Sequence, residues 1–465
     1  MSNTNDNLAM KRITGLLDPN SFVEIGGEVR ARSTDFNLSG ADTPSDGVVT
    51  GHGLIDGNLV FVYSQDSTVL GGSIGEMHAK KIAGIYEMAL KMGAPVIGIL
   101  DSAGLRLQES VDALEAFSLL YAKISDASGV VPQFAIVAGT CGGGMAVIPA
   151  LSDFAFMTND SKVFVSAPNT IKGNYESKCD TSAPEFQSEQ TGVFDAVGEY
   201  EEIVTKVRTL VGILPSNNTQ ASFVAECTDD LNRSSSAAAG HQEDPAEILK
   251  AVSDNALFME TLVGYSEDIV TGFIALNGMT IGVVACAGEE ENLSSKGAEK
   301  AAEMVNFCDC FDIPLLTITN VTGYKACKCT EKRIAKALAK LTFAFANATV
   351  PRVNLITGRA YGSAYSVFNT KSLGADLVYA WPDAAVGMMD AKIAVDIMYA
   401  DSDAATKRAK VAEYEAKQNS VNTAAARGYV DRIVSPADTR KYLIDAFEML
   451  MTKNTDIPYK KHGAK

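Results

Sequence analysis

The chain has 465 residues, 46% hydrophobic and 21% charged, an ordinary globular balance with room for a large core in two or three domains. Its formal net charge of −17 argues against a general nucleic-acid binder, which presents a basic surface, and against docking on anionic lipid. The opening MSNTNDNLAMKR has no apolar signal segment, so a cytoplasmic chain without membrane insertion is expected, its eight scattered cysteines reduced.

Val49-Thr50-Gly51 opens the first recognisable unit, and GLIDGNLVFVY after it predicts a strand, an Asp-Gly turn and a second strand. A helix is expected to start near Lys81, followed by Pro95 and the strand VIGIL ending at Asp101. The loop Asp101-Ser-Ala-Gly-Leu-Arg106-Leu-Gln-Glu109 reads equally as a hydrogen-bonded lock on the strand end or as a substrate-shaping element. Residues 127–152 carry no charge and are long enough to span a bilayer. Pro132, Gly139, Gly142-Gly143-Gly144 and Pro149 break that stretch, which is read as a buried strand, a glycine turn and a helix start. Residues 215–245, with SNNTQ and NRSSSAAAG, have a linker composition.

The second half repeats the first. Val270-Thr271-Gly272 precedes ALNGMTIGVVA, again strand, turn and strand. Lys300, Pro314-LLTIT-Asn320, Val350-Pro351, Gly358 and Gly362 match Lys81, Pro95-VIGIL-Asp101, Val131-Pro132, Gly139 and Gly143 at a constant offset of 219. The chain therefore reads as two copies of one α/β domain, residues 1–231 and 232–465, with crossover helices and largely parallel pairing. A last helix, TRKYLIDAFEMLM, is expected from near Ala437.

In each copy an apolar strand runs into a small-residue turn and a helix start: Ile136 to Met145, and Leu355 to Ala364. Amides at a helix start attract negative charge, and two amides aimed at one oxygen make an oxyanion hole. Tight helix–strand packing is the plainer alternative for one such turn, and the same turn at the same register in both halves favours the functional reading. Familiar catalytic sets are missing. The four histidines are in no HExxH spacing, and no Walker A loop occurs. Cys308-x-Cys310 and Cys327-x-Cys329 lack the CxxC spacing of a zinc site and are read as packed thiols.

Several stretches together resemble the carboxyltransferase subunit of biotin-dependent acyl-CoA carboxylases and decarboxylases, of the propionyl-CoA carboxylase β type. They are Ser45 to Gly51, QDSTVLGGSIGEMHAKKI from Gln65, DSAGLRLQE from Asp101, TCGGGMAVIPALSDFAFM from Thr140, FCDCFDIPL from Phe307, and AYGSAY with NTKSLGADLVYAWPDA from Ala360. The resemblance covers nearly the whole chain. It implies two tandem crotonase-like (ClpP-type) β-β-α superhelix domains, the first on the acyl-CoA side and the second on the biotin side. It implies a dimer-based homo-oligomer, commonly a hexamer, with sites shared between subunits. Biotin, carried on a separate protein, would be the cofactor and a coenzyme A thioester the substrate, with further complex subunits supplying the carrier and biotin carboxylation. Carboxybiotin would release CO2 and its ureido nitrogen would take the α-proton, so that a histidine-poor chain is still an enzyme.

By match, Gly143 and Gly144 hold the thioester oxygen, and Gly362, Ser363 and Ala364, with Tyr361, the biotin ureido oxygen. Gly71, Gly72, Ser102, Gly104 and Ser366 are matched to the acyl-CoA site. The chain departs from the family where Gly362-Ser363-Ala364 replaces Gly-Gly-Ala, where Ser366 replaces an Asp, and where Asn320 to Glu331 replaces a Pro-Gly loop and Lys336 to Lys340 a histidine pattern. Ser182 to Thr191 likewise replaces a Leu-Gly-Gly pattern, and no cysteine precedes Cys141 to build a zinc ribbon. A biotin-independent crotonase-like acyl-CoA decarboxylase and a non-catalytic scaffold subunit are the alternatives.

Overall fold

The computed structural model describes residues 7–32, 36, 38, 42–173, 178–220, 225–288, 292–455 and 463–464. The chain forms two compact units, Met1–Ala221 with Leu262–Tyr265, and Ser222–Thr261 with Ser266–Lys465. The division falls ahead of 231/232 because much of the expected linker is packed onto the second unit. There the Ala225 amide donates to the Gly278 carbonyl at 2.9 Å, and Asp229 takes the Arg233 guanidinium at 3.1 Å and the Asn255 amide at 2.9 Å.

In the first unit β1 (Val48–Ile55) and β2 (Asn58–Gln65) form an antiparallel hairpin. Its turn residues, Asp56 and Gly57, are both at positive φ, which matches the twist of the strands. α1 (Glu76–Met92) begins earlier than expected. The Glu109 carboxylate, 33 positions away, accepts the Glu76 amide at 2.6 Å and so satisfies the first turn. β3 (Val96–Ser102), α2 (Val111–Ala127), β4 (Gln133–Gly142) and β5 (Phe154–Thr158) follow. Strands β2 to β5 pair parallel in chain order, as helical crossovers require. The charge-free stretch 127–152 is thus the end of α2, β4, a glycine turn and a short helix, Val147–Leu151.

The second unit repeats this order with β6 (Ile269–Leu276), β7 (Met279–Cys286), α3 (Ser295–Cys310), β8 (Leu315–Val321), α4 (Ile334–Asn347), β9 (Arg352–Tyr361) and β10 (Leu377–Ala380). Its hairpin turns through Asn277 and Gly278, again both at positive φ. β7 to β10 are parallel in order. A short strand lies beside the tip of the fourth strand in each unit, Lys162–Phe164 on β4 and Ala385–Gly387 on β9. The last helix spans Thr439–Leu450.

β3 and β8 are buried along their whole length, as the central strands of a parallel sheet are. Ile82, Ile85 and Ala89 of α1 meet Leu120 and Ile124 of α2 over the first sheet, each large side chain contributing roughly 1.5–3 kcal/mol by leaving water. Among the described residues no helix is long and apolar enough to cross a membrane. All eight cysteines are free.

Candidate functional site

Where β4 ends, the chain must leave the sheet and start a helix within two residues. Gly143 does this at φ +63°, a conformation that costs glycine nothing and other residues about 1 kcal/mol or more. A 3-10 turn, Gly143–Ala146, leads into the helix Val147–Leu151. The Tyr121 hydroxyl donates to the Gly144 carbonyl at 2.8 Å, which fixes the peptide planes of the turn. Gly143 and Gly144 are half-buried. Their amides stand at the start of the turn, where no intrahelical acceptor exists.

Two more backbone segments lie beside this turn. Gly104, at φ +105°, lies so close that a Cβ on it would stand 3.0 Å from the Gly142 carbonyl oxygen. The Gly104 amide donates to Ser102 Oγ at 3.2 Å, and the Ala103 amide to the Gly71 carbonyl at 3.0 Å. A Cβ on Gly72 would stand 2.2 Å from the Asp101 carbonyl oxygen. Gly71, Gly72, Ser102, Gly104, Gly143 and Gly144 are therefore one neighbourhood at the C-terminal ends of β3 and β4. Gly71 is exposed and Gly143 and Gly144 are half-buried, whereas Gly72, Ser102 and Gly104 are buried beneath them.

The second unit rebuilds the turn. Gly362 takes φ +61° directly after β9, and α5 (Gly362–Ser366) follows. Tyr361 and Ala364 are buried, Gly362 is half-buried, and Ser363 and Ser366 are exposed. The hydroxymethyl group of Ser363 thus does not fill the turn. The Ser366 hydroxyl donates to the Gly362 carbonyl at 3.2 Å, which places this residue on the second turn. Met388, whose carbonyl oxygen would lie 3.2 Å from a Cβ on Gly362, runs alongside. Asp390 then caps the helix Ala391–Met398. Burial raises the Tyr361 phenol above its ordinary range, so it is a neutral donor.

Each turn is braced by one side chain from the neighbouring strand. Asp101 Oδ1 accepts the Thr140 amide at 3.2 Å, and Asn320 Oδ1 accepts the Arg359 amide at 2.8 Å. The adjacent glycines, Gly139 and Gly358, leave the room: a Cβ would stand 2.2 Å from Asp101 Oδ1 or 2.3 Å from Asn320 Oδ1. The carboxylate is matched by Arg12 at 3.1 Å, the amide by the Gln242 carbonyl at 3.1 Å. In the 101–109 loop the Arg106 guanidinium, fully buried, meets Asp46 at 2.6 Å and Glu109 at 2.9 Å and donates to the Ser73 carbonyl at 2.8 Å. These groups bond one another and so lock the strand end.

Neither turn holds an acid or base of its own. His78, next to the first unit's hairpin, hydrogen-bonds Gln65 at 3.2 Å and is pushed down to about 3 by burial and by Arg106, so it stays neutral. Among the described residues no group of three or more His, Cys, Asp or Glu could hold a metal. The arrangement therefore offers main-chain donors that can stabilise a developing oxyanion.

The departing segment 320–331 starts at the second turn: Gly323–Tyr324 pairs with Asn292–Leu293 and packs on α5. The sequence pattern located both turns. It missed Tyr121, Gln242 and Arg12, whose contacts are long-range and carry no local spacing signal.

Comparison with known proteins agrees with this geometry. The family model described as the carboxyl transferase domain matches residues 2–464. The methylmalonyl-CoA decarboxylase subunit alpha of Propionigenium modestum is 38% identical over 98% of this chain and 92% of its own. The propionyl-CoA carboxylase beta chain of Roseobacter denitrificans is 40% identical with the same coverages, 98% and 92%. The transcarboxylase 12S subunit, solved as a hexamer with hydrolysed methylmalonyl-coenzyme A bound, superposes with a TM-score of 0.92 at 35% identity, covering 98% of this chain and 92% of that one. A fold of two tandem crotonase-like domains, a matched turn in each and similarity along the whole length lead to one conclusion: this chain belongs to the carboxyl transferase family.

Proposed function

We propose that this chain is the carboxyltransferase subunit that moves a carboxyl group between biotin on a separate carrier protein and an acyl-CoA of the methylmalonyl or propionyl class. The observation that carries this reading is the repeated turn: a left-handed glycine, a helix start and a bracing Asp or Asn, once per unit. The names of the relatives support the acyl class.

In this reading the first domain serves the acyl-CoA and the second the biotin. The Gly143 and Gly144 amides hold the thioester oxygen as it gains enolate charge. Gly71 borders the thioester, Gly72, Ser102 and Gly104 support the turn from beneath, and Ser366 meets the acyl group. The amides of Gly362, Ser363 and Ala364, with Tyr361 beside them, hold the ureido oxygen. The turn fits that group, because Gly362 has the open left-handed shape and Ser363 keeps its amide at the helix start. When bound, carboxylated biotin supplies both the carboxyl group and the nitrogen base that the chain lacks. Exposed apolar residues near each turn, Leu107, Val111 and Leu114 in one unit and Met388, Ile393 and Ile397 in the other, call for cover and support a dimer-based oligomer.

The test is turnover of the purified chain on malonyl-, methylmalonyl- and glutaconyl-CoA, with and without free biotin. Biotin-dependent decarboxylation of methylmalonyl-CoA is expected. Equal turnover without biotin overturns the reading in favour of the biotin-independent decarboxylase. No turnover with free biotin or a biotinylated carrier leaves the scaffold.

A further inference from the structure

The segment beside the second turn carries an unusual group of side chains. After Gly323–Tyr324 the chain reads Lys325-Ala-Cys327-Lys-Cys329-Thr330. Cys327 is half-buried and Cys329 exposed, whereas Cys141, Cys286 and Cys308 are buried. The Thr330 amide donates to Cys327 Sγ at 3.4 Å, and Thr330 Oγ1 lies 3.2 Å from the same sulfur. Cys329 is exposed in the helical turn Lys328–Glu331 that Cys327 caps, so both thiols lie on one short turn, two residues apart.

These bonds favour the thiolate, and Cys329 and Thr330 together bring Cys327 down to about 7. The surroundings act in the same direction. In a chain of net charge −17, Lys325, Lys328, Lys332, Arg333 and Lys336 are all exposed here against a single acid, Glu331. A reactive, accessible thiolate beside a second thiol is the arrangement of a redox pair, while thiols packed in a core are inert.

We propose that Cys327 and Cys329 are a reversible dithiol–disulfide pair, oxidised by a hydroperoxide, on the flank of the second turn. The Cys327 thiolate attacks the terminal peroxide oxygen and the O–O bond breaks, giving a sulfenic acid on Cys327 and hydroxide or alkoxide, which takes from solvent the proton the thiol had released and leaves as water or alcohol. The Cys329 sulfur then attacks the sulfenic sulfur, the S–S bond forms, and hydroxide leaves and takes the Cys329 proton as water. Two thiols lose two electrons and the peroxide gains them. Closing a bridge between residues two apart takes Cys327 from Thr330 and distorts the helical turn Lys328–Glu331. The strand Gly323–Tyr324, packed on α5, carries that change to the Gly362 turn. The effect on turnover rests on the biotin-side reading of that turn; the bridge itself does not.

The experiment treats the full-length chain with limiting hydrogen peroxide, alkylates the remaining thiols and measures mass. Measured before alkylation, the intact mass is expected to fall by about 2 Da, two hydrogens. After cleavage at Lys328 the peptides carrying Cys327 and Cys329 remain joined until dithiothreitol is added. Cys327→Ser and Cys329→Ser each abolish the bridge. In the reduced protein iodoacetamide at pH 7 labels Cys327 about ten times faster than the exposed Cys310. Alkylation of both cysteines after peroxide, or oxygen adducts with no bridge, overturns the pair. A bridge that leaves carrier-dependent turnover unchanged overturns the coupling to the turn, and biotin dependence of the reduced protein is read separately.

Discussion

Gly143 and Gly362 hold the same left-handed conformation, φ +63° and +61°, at the same step beyond equivalent strands. A Cβ on Gly143 meets nothing within 4 Å, so the constraint there is the backbone angle and the aim of the amides. Gly143→Val is expected to keep the fold, lose about 1–2 kcal/mol of stability, and lower turnover at least 10²–10³-fold, roughly what one oxyanion donor provides. Unchanged turnover in a folded variant counts against the first turn as the enolate site.

The brace on the second turn gives a test that needs no substrate. Gly358→Ala places a methyl group 2.3 Å from Asn320 Oδ1, and about 1–3 kcal/mol of destabilisation is expected. Asn320→Ala removes the obstacle and also the bond to the Arg359 amide. The double variant should therefore be more stable than the two single losses added together, and urea unfolding of all three variants measures this. Simple additivity is the contrary result.

Asp153 accepts the Gln133 amide at 2.8 Å, and burial, with Asp195 nearby, raises its carboxyl to about 7. The folded value lies above the unfolded one, so the folded state holds a proton that the unfolded state releases. Stability from this group is present below about pH 4, falls as pH rises towards 7, and is gone above it. Asp153→Asn keeps an oxygen acceptor and should remove that slope, with a relative gain of order 1–2 kcal/mol at pH 8. Thermal unfolding at pH 5, 6.5 and 8 compares the two proteins, and parallel curves refute the assignment.

Ser110 sits at φ +49°, ψ −120°, where a side chain is strained, immediately before α2. Ser110→Gly is expected to stabilise by about 1 kcal/mol and to raise the melting temperature by roughly 2–4 °C. A lower melting temperature in calorimetry would show that the serine hydroxyl is worth more than the strain.

The offset of 219 and the Asp-Gly and Asn-Gly turns made the duplicated fold readable from residue types alone, because each depends on local pattern. The same is true of Gly143 and Gly362. What escaped depends on distant partners. α1 starts at Glu76 because of Glu109, and residues 225–245 of the expected linker pack on the second unit, where Asp229 gathers Arg233 and Asn255. The carboxylates that receive the first amides of the fourth strands, Asp153 for Gln133 and Asp376 for Arg352, look like ordinary surface acids in sequence. The mismatch of Asp101 with Asn320 is also explained only in space, since Arg12 accompanies the carboxylate and a main-chain carbonyl the amide.

The donors in both turns belong to the main chain, and peptide N–H groups do not titrate in the physiological range. No side-chain replacement that preserves the backbone angle can delete them, which is how an exposed serine, Ser363, can stand within the turn. Such a site lets its neighbours drift in evolution while its charge-stabilising groups stay fixed. The oxyanion contribution of the protein should then be nearly flat with pH, so that any acid or alkaline limb in the rate profile reports the partner that brings the base.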